Sequence, residues 1–71
     1  MIFHVRDIDG HIFGRFDYPV EPQINGSIRV PDKNGGWYNL PIVSLEIYPT
    51  EAHIPPIVYV DAVLLKKVGE I

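Results

Sequence analysis

Apolar and polar residues alternate along four stretches of the chain, and β-branched and aromatic residues dominate all four. The stretches are IFHVR (2–6), HIFGRFD (11–17), INGSIRV (24–30) and WYNLPIVSLEIY (37–48). A fifth stretch, IVYVDAVLLKKV (57–68), is nearly continuous in apolar residues. Alternation with period 2 is typical of strands that bury one face, and the prolines and glycines between the stretches are typical of turns. The pattern therefore predicts five strands.

Only the segment PTEAH (49–53) favours a helical turn, and the following IPP ends that turn because proline lacks an amide donor. Five strands without a long helix predict an all-β domain. We expect a small five-stranded antiparallel, strongly bent sheet, or a barrel of the Src-homology-3 or OB type. A straight strand over 57–68 would run about 40 Å, so the last strand must bend or project. The apolar positions switch from even to odd numbers after Ile42, which predicts a bulge or a barrel corner near Pro41.

The register of the third and fourth strands follows from the apolar positions. Pairing Val30 with Tyr38 and Ile28 with Leu40 gives a uniformly apolar core face, whereas a slip by one residue brings polar side chains onto it. This register places Trp37 on the outer face of the hairpin. Either another strand or the loop PTEAHIPP (49–56) covers the indole, or the indole contacts a partner. The residues Asn34, Gly35 and Gly36 then form the turn.

The first hairpin is predicted to turn at DIDG (7–10), where Asp7 and Asp9 accept hydrogen bonds from backbone amides. Its inner face is predicted to carry Phe3, Val5, Ile12 and Phe16 around Gly14. Its outer face is predicted to carry His4, Arg6, His11, Phe13 and Arg15. The segment VRDIDGHIFG (5–14) is similar to the opening hairpin of reaction-centre-type small barrels, and this likeness covers ten residues and implies no site residue.

Length and composition predict one small domain over residues 1–71, since a chain this short has only one core. It has no cysteine, so no disulfide supplements that core, and association between copies is the remaining supplement. The net charge of −3 disfavours a general nucleic-acid footprint. No apolar run is long enough to span a membrane, and no leader pattern stands at the N-terminus, so we expect a cytoplasmic protein.

No catalytic or metal-binding constellation is predicted. The offset of His4 and His11 along one hairpin separates them by about 7–13 Å, too far to share a zinc ion. The hydroxyl groups available as nucleophiles do not stand at a strand-to-helix elbow. We expect neither an enzyme nor a cofactor.

Asp61 interrupts the last apolar stretch, and two arrangements accommodate it. If the carboxylate points outward, then Ile57, Tyr59, Val63 and Leu65 share its face and leave an apolar stripe in water. If the sheet closes around the last strand, both of its faces are buried. The first arrangement predicts a partner-binding surface made of Phe13, Trp37, Tyr59, Val63 and Leu65.

Two functions are consistent with these patterns. The first is a self-associating protein–protein interaction module, such as a small regulatory or inhibitory accessory protein of the kind that phages encode. The second is capture of a small anionic ligand, a nucleotide or a short nucleic acid by the hairpin residues His4, Arg6, Phe13 and Arg15, because guanidinium groups bind phosphate and an exposed ring stacks on a base.

Overall fold

The computed structural model describes all 71 residues and shows one five-stranded sheet curled into a half-barrel. The sheet order is β2-β1-β5-β4-β3, so β2 and β3 are the edge strands. The elements along the chain are β1 (Ile2–Asp7), β2 (Ile12–Asp17), β3 (Ser27–Pro31), β4 (Trp37–Glu46), a 3-10 turn (Thr50–Ala52), β5 (Ile57–Val60) and a short helix α1 (Val63–Lys67). The predicted small all-β fold and the single turn near residue 50 are confirmed.

The first hairpin contains a bulge that the sequence pattern did not predict. Val5 pairs with Gly14 and Arg6 pairs with Ile12, which leaves Phe13 as the extra residue. The bulge turns Phe13 inward against the core and leaves Ile12 outside with 63% of its surface exposed. The predicted facing of both residues was therefore wrong. Gly14 permits the arrangement, because a side chain there would collide with the Phe16 ring.

The second hairpin has the predicted register, with Val30 opposite Tyr38 and Ile28 opposite Leu40. Its strand β3 is shorter than the pattern suggested, since residues 24–26 form a turn in which Asn25 has a positive φ of 71°. In the connection to β4, Asp32 Oδ1 accepts hydrogen bonds from the amides of Asn34 and Gly36, both at 2.8 Å. Gly35 alone supplies a positive φ in this turn.

Strand β4 bends in its middle and pairs with two neighbouring strands. Residues 37–41 pair with β3, and residues 42–46 pair with β5. A register shift between Ile42 and Ser44 makes Val43 a bulge. This bulge is the predicted change of face, and it lets the sheet curl at this point.

Strand β5 lies in the middle of the sheet, antiparallel to β4 and parallel to β1. The expectation of a purely antiparallel sheet is thus wrong for one of the four pairings. Ile57, Val58 and Val60 are buried and Tyr59 is half-buried. Both faces of β5 are covered, so the outward stripe that begins at Ile57 does not form.

The chain leaves the sheet after Val60 and forms α1 where a continuous strand was predicted. Asp61 Oδ1 accepts a hydrogen bond from the amide of Val63, the first residue of α1. The helix ends with Gly69 at a φ of +75°, and the amides of Gly69 and Glu70 bond back to the carbonyls of Lys66 and Leu65. The change from strand to helix turns Leu65 back onto the core.

Ten apolar side chains are buried, and all of them except Ile57 form one core cluster on the concave side of the half-barrel. They are Phe3, Val5, Ile28, Val30, Leu40, Ile42, Ile57, Val58, Val60 and Ala62. Neither short helix has the length and apolar surface needed to cross a membrane.

Candidate functional site: a groove between two open sheet edges

One wall of the groove is the free edge of β2. The amide of Tyr18 donates to the carbonyl of Met1 at 2.7 Å. The even-numbered residues that follow the bulge therefore direct their backbone N–H and C=O groups toward β1. In an antiparallel pair the alternate residues direct theirs away from the neighbouring strand. The amides and carbonyls of Arg15 and Asp17 therefore face the open side.

The opposite wall is the free edge of β3. The Ile42 amide donates to the Gly26 carbonyl at 2.9 Å, and the Asp32 amide donates to the Gly36 carbonyl at 3.0 Å. These bonds show that the even-numbered residues of this hairpin direct their backbone N–H and C=O groups toward each other, between β3 and β4. Ser27, Arg29 and Pro31 therefore direct their backbone groups away from β4, to the open side. Proline has no amide to donate, so Pro31 limits uncontrolled pairing at one end of this edge.

Tyr18 bridges the two edges. Its hydroxyl donates to the backbone carbonyl of Arg29 at 2.7 Å. A tyrosine side chain spans the gap here, whereas strands that pair directly lie about 4.8 Å apart. Burial raises the pKa of Tyr18 above its usual value of 10.0, so the phenol stays protonated and able to donate at neutral pH. The edges are held near each other without pairing.

Trp37 completes the groove, as the first residue of β4, where it pairs with Pro31. Trp37 has 63% of its surface exposed, so neither another strand nor the loop 49–56 covers the indole. The cavity has a volume of about 540 Å³ and is lined by Arg15, Phe16, Asp17, Tyr18, Arg29, Pro31 and Trp37. We call this site the Trp37 groove. A large aromatic side chain that is left in water is characteristic of binding surfaces.

The charges of the Trp37 groove are two guanidinium groups and one carboxylate. Neither Arg15 nor Arg29 has a carboxylate within 4 Å. Asp17 accepts a 2.7 Å hydrogen bond from the ammonium group of Met1. The groove thus combines aromatic side chains with an excess of unpaired positive charge.

A second polar cluster lies around Asp7, whose side chain is 1% exposed. Its carboxylate accepts hydrogen bonds from the amides of Ala62 (3.1 Å) and Asp9 (3.2 Å), and it forms an ion pair with Lys66. Burial raises the pKa of Asp7, but the hydrogen bonds from Lys66 and the two amides lower it more, so the net pKa lies below 3.8. Every carboxylate oxygen is occupied, so we assign this cluster a structural role: it fastens α1 to the end of β1.

The predicted partner-binding residues do not form one surface. Trp37 lines the groove, whereas Val63 and Leu65 line a separate depression beside Leu40. Phe13 packs against the core, and the half-buried Tyr59 donates a 2.7 Å hydrogen bond to Glu46. Of the five, Trp37 and Val63 are the two that are exposed.

The predicted anion-binding residues also separate. His4, Arg6 and Arg15 lie on the outer face of the hairpin, but the bulge takes Phe13 to the other face. No group of three histidine, aspartate or glutamate side chains is placed to hold a metal ion together.

Sequence reasoning missed the roles of Tyr18 and Arg29 in the groove, and nothing in the alternation signals them because both act across a gap. It also missed α1, although the sequence contains a signal for that helix. Asp61 before the apolar run, two lysines at its end and Gly69 after it match the usual start and stop residues of a helix.

We compared the chain with models of protein families, with curated proteins and with solved structures. None of the three comparisons found a match.

Proposed function

We propose that this protein is a non-enzymatic protein–protein interaction module that binds an extended segment of a partner in the Trp37 groove. One observation carries the proposal: an exposed tryptophan stands in a groove whose two walls are unpaired strand edges. An extended segment that adds to a sheet edge gains main-chain hydrogen bonds, and nearby side chains supply specificity. The groove offers both kinds of contact.

A module of this kind acts by occupying a surface of another protein. A regulatory or inhibitory accessory role fits such an action, including a role in a phage. The two edges and the indole are held on a curled sheet with a continuous core, so the groove is preorganised for its partner.

Photo-crosslinking tests the groove as a partner site. A benzophenone amino acid at position 37 is expected to crosslink one discrete partner in cells, whereas the same group at position 43 is not. Val43 is the matched control because it is exposed and lies outside the groove. The captured partner, once purified, is then titrated against Trp37→Ala and Val43→Ala. Equal affinity for both variants would exclude the Trp37 groove as its binding site.

Amide hydrogen exchange tests the mode of binding. On addition of the partner, exchange at the open-edge amides of Arg15, Asp17, Ser27 or Arg29 is expected to slow. The inward-directed amides on the same strands are already protected and serve as the internal reference. A partner that protects none of the four does not add a strand.

Self-association is a further part of the proposal. Val63 and Leu64 of α1 and Val68 directly after it are exposed, and a second copy covers such a face in many small domains. In sedimentation velocity, the sedimentation coefficient of the wild-type chain is expected to rise with concentration, and Leu64→Glu is expected to remove this rise. Leu64 is 71% exposed, so this change leaves the core intact. A wild-type chain that sediments as a monomer at every concentration refutes self-association.

Binding of a nucleotide or another small anion is the second candidate function. The unpaired guanidinium groups of Arg15 and Arg29 beside the Trp37 indole favour it. A thermal-shift screen of nucleotides and inorganic phosphate at low salt tests it. Stabilisation that Arg15→Glu abolishes supports this candidate, and no stabilisation by any compound eliminates it.

A further inference from the structure

The side chains of the Trp37 groove indicate the chemistry of the segment that it binds. Arg15 stands on the β2 wall and Arg29 on the β3 wall, so an occupant lies between two positive charges. Both arginines lack an ion-pair partner within the chain. Asp17 is the one acidic side chain in the lining. The excess of positive charge favours an acidic occupant.

The period of a strand determines where the acidic residues of the occupant stand. Successive side chains of an added strand point to opposite faces of the sheet. Those on the outer face lie between Arg15 on one side and Arg29 and Trp37 on the other. Those on the inner face approach Phe16, whose side chain faces the concave side and is half-buried.

We propose that the Trp37 groove recognises an extended partner segment in which acidic residues alternate with apolar ones, an inference that rests on the proposed function. The acidic side chains pair with Arg15 and Arg29, and the apolar side chains cover Phe16. Main-chain hydrogen bonds to the open edges fix the register of the segment.

The backbone of the groove favours a peptide over a nucleic acid, although both are anionic. Each open edge presents carbonyl acceptors as well as amide donors. On the β3 edge the Arg29 carbonyl accepts the Tyr18 hydroxyl, so Ser27 and Pro31 present the free carbonyls, and Pro31 has no amide. A peptide backbone satisfies both kinds of group, whereas a phosphodiester backbone offers no N–H donor to the carbonyls.

Fluorescence titration with short blocked peptides tests the inference, and Trp37, the only tryptophan of the chain, reports on the groove directly. The probes are peptides of alternating glutamate and valine, serine and valine, or lysine and valine, together with oligothymidylate. We expect the glutamate peptide to bind about tenfold more tightly than the serine peptide, since its hydrogen bonds to arginine are charge-assisted. We expect the lysine peptide to bind most weakly of the three.

Charge reversal provides the decisive comparison. The double variant Arg15→Glu/Arg29→Glu is expected to prefer the lysine peptide, while Lys67→Glu, which changes a lysine outside the groove, keeps the wild-type preference. Circular dichroism checks that each variant is folded.

The pattern of results separates the two proposals. Equal binding of all three peptides overturns the acidic preference and leaves strand addition standing. Failure of every peptide to change Trp37 fluorescence overturns both. Tighter binding of oligothymidylate than of the glutamate peptide overturns the inference and assigns the groove to nucleic acid.

Discussion

Replacing Asp7 with asparagine is expected to destabilise the protein strongly. The asparagine carbonyl can still accept the amide of Ala62, but its NH₂ group takes the place of the oxygen that accepts from Asp9 and Lys66. The Asp9 amide and the Lys66 ammonium, which are both donors, then face the NH₂ group of the asparagine, which is also a donor. Hydrogen bonds to a charged group contribute about 1.5–3 kcal/mol each.

The exposure of the partners sets the size of the effect. Lys66 is about a third exposed, and water screens its ion pair, so the loss of this contact counts below that range. We therefore expect Asp7→Asn to lower the free energy of unfolding by about 2–4 kcal/mol. For a domain of this size such a loss lowers the melting temperature by about 10–20 °C.

The same substitution is expected to change the dependence of stability on pH. The pKa of Asp7 is lower in the folded chain than its ordinary value of 3.8, so folding favours the ionised form. The contribution is fully present above pH 3.8 and is lost as the pH falls through the folded pKa. Asp7→Asn removes this part of the acid destabilisation, because asparagine does not titrate.

Urea unfolding followed by far-ultraviolet circular dichroism, at pH 7 and at several lower values, measures both effects. Asp9→Asn is the matched control, because Asp9 contacts the same Lys66 ammonium while its side chain is 69% exposed. We expect that control to cost less than about 1 kcal/mol. Two outcomes would refute the role of Asp7 in holding α1. One is an equal loss of unfolding free energy in the two variants, and the other is an unchanged fall of stability at low pH in Asp7→Asn.

Three further predictions concern the bulge, the central strand and the second turn. Phe13→Ala is expected to lower the free energy of unfolding in urea by about 2–4 kcal/mol, and Ile12→Ala by less than about 1 kcal/mol, because the bulge places Phe13 against the core. A larger loss for Ile12→Ala than for Phe13→Ala would contradict the bulge. Val58→Ala, at a fully buried site in the middle of the sheet, is expected to cost about 2 kcal/mol, whereas Val43→Ala at the exposed bulge changes the unfolding midpoint little. Gly35→Ala is expected to cost about 1 kcal/mol from backbone strain alone, since no atom stands near the added methyl group; an unchanged melting temperature contradicts this.

The outcome for Trp37 shows how far the sequence predicts the candidate site. The register of its hairpin follows from local alternation, because a slip by one residue puts polar side chains into the core. That register correctly places the indole outside. Whether a second segment covers the indole depends on the curl of the sheet, which local alternation does not specify.

The errors have equally specific causes. The alternation of apolar and polar residues does not show where a strand contains an extra residue. The bulge at Phe13 therefore places Ile12 and Phe13 on the faces opposite to those that the alternation predicts. In the last apolar stretch, the pattern alone does not distinguish a strand from a buried helix, so it predicts one strand where the chain forms β5 and α1. The helix signals at Asp61 and Gly69 were present, and they mark the point where the chain leaves the sheet.

By itself, the sequence determined the all-β class, the register of the second hairpin, the change of face in β4 and the outward direction of Trp37. These features depend on contacts between residues that are close in the chain or directly paired. Only the tertiary structure decided that β5 lies between β1 and β4, that Asp7 holds α1, and that two edges meet at one groove. Such features join residues far apart in the chain, and their free energy comes from burial and long-range hydrogen bonds that no local pattern encodes.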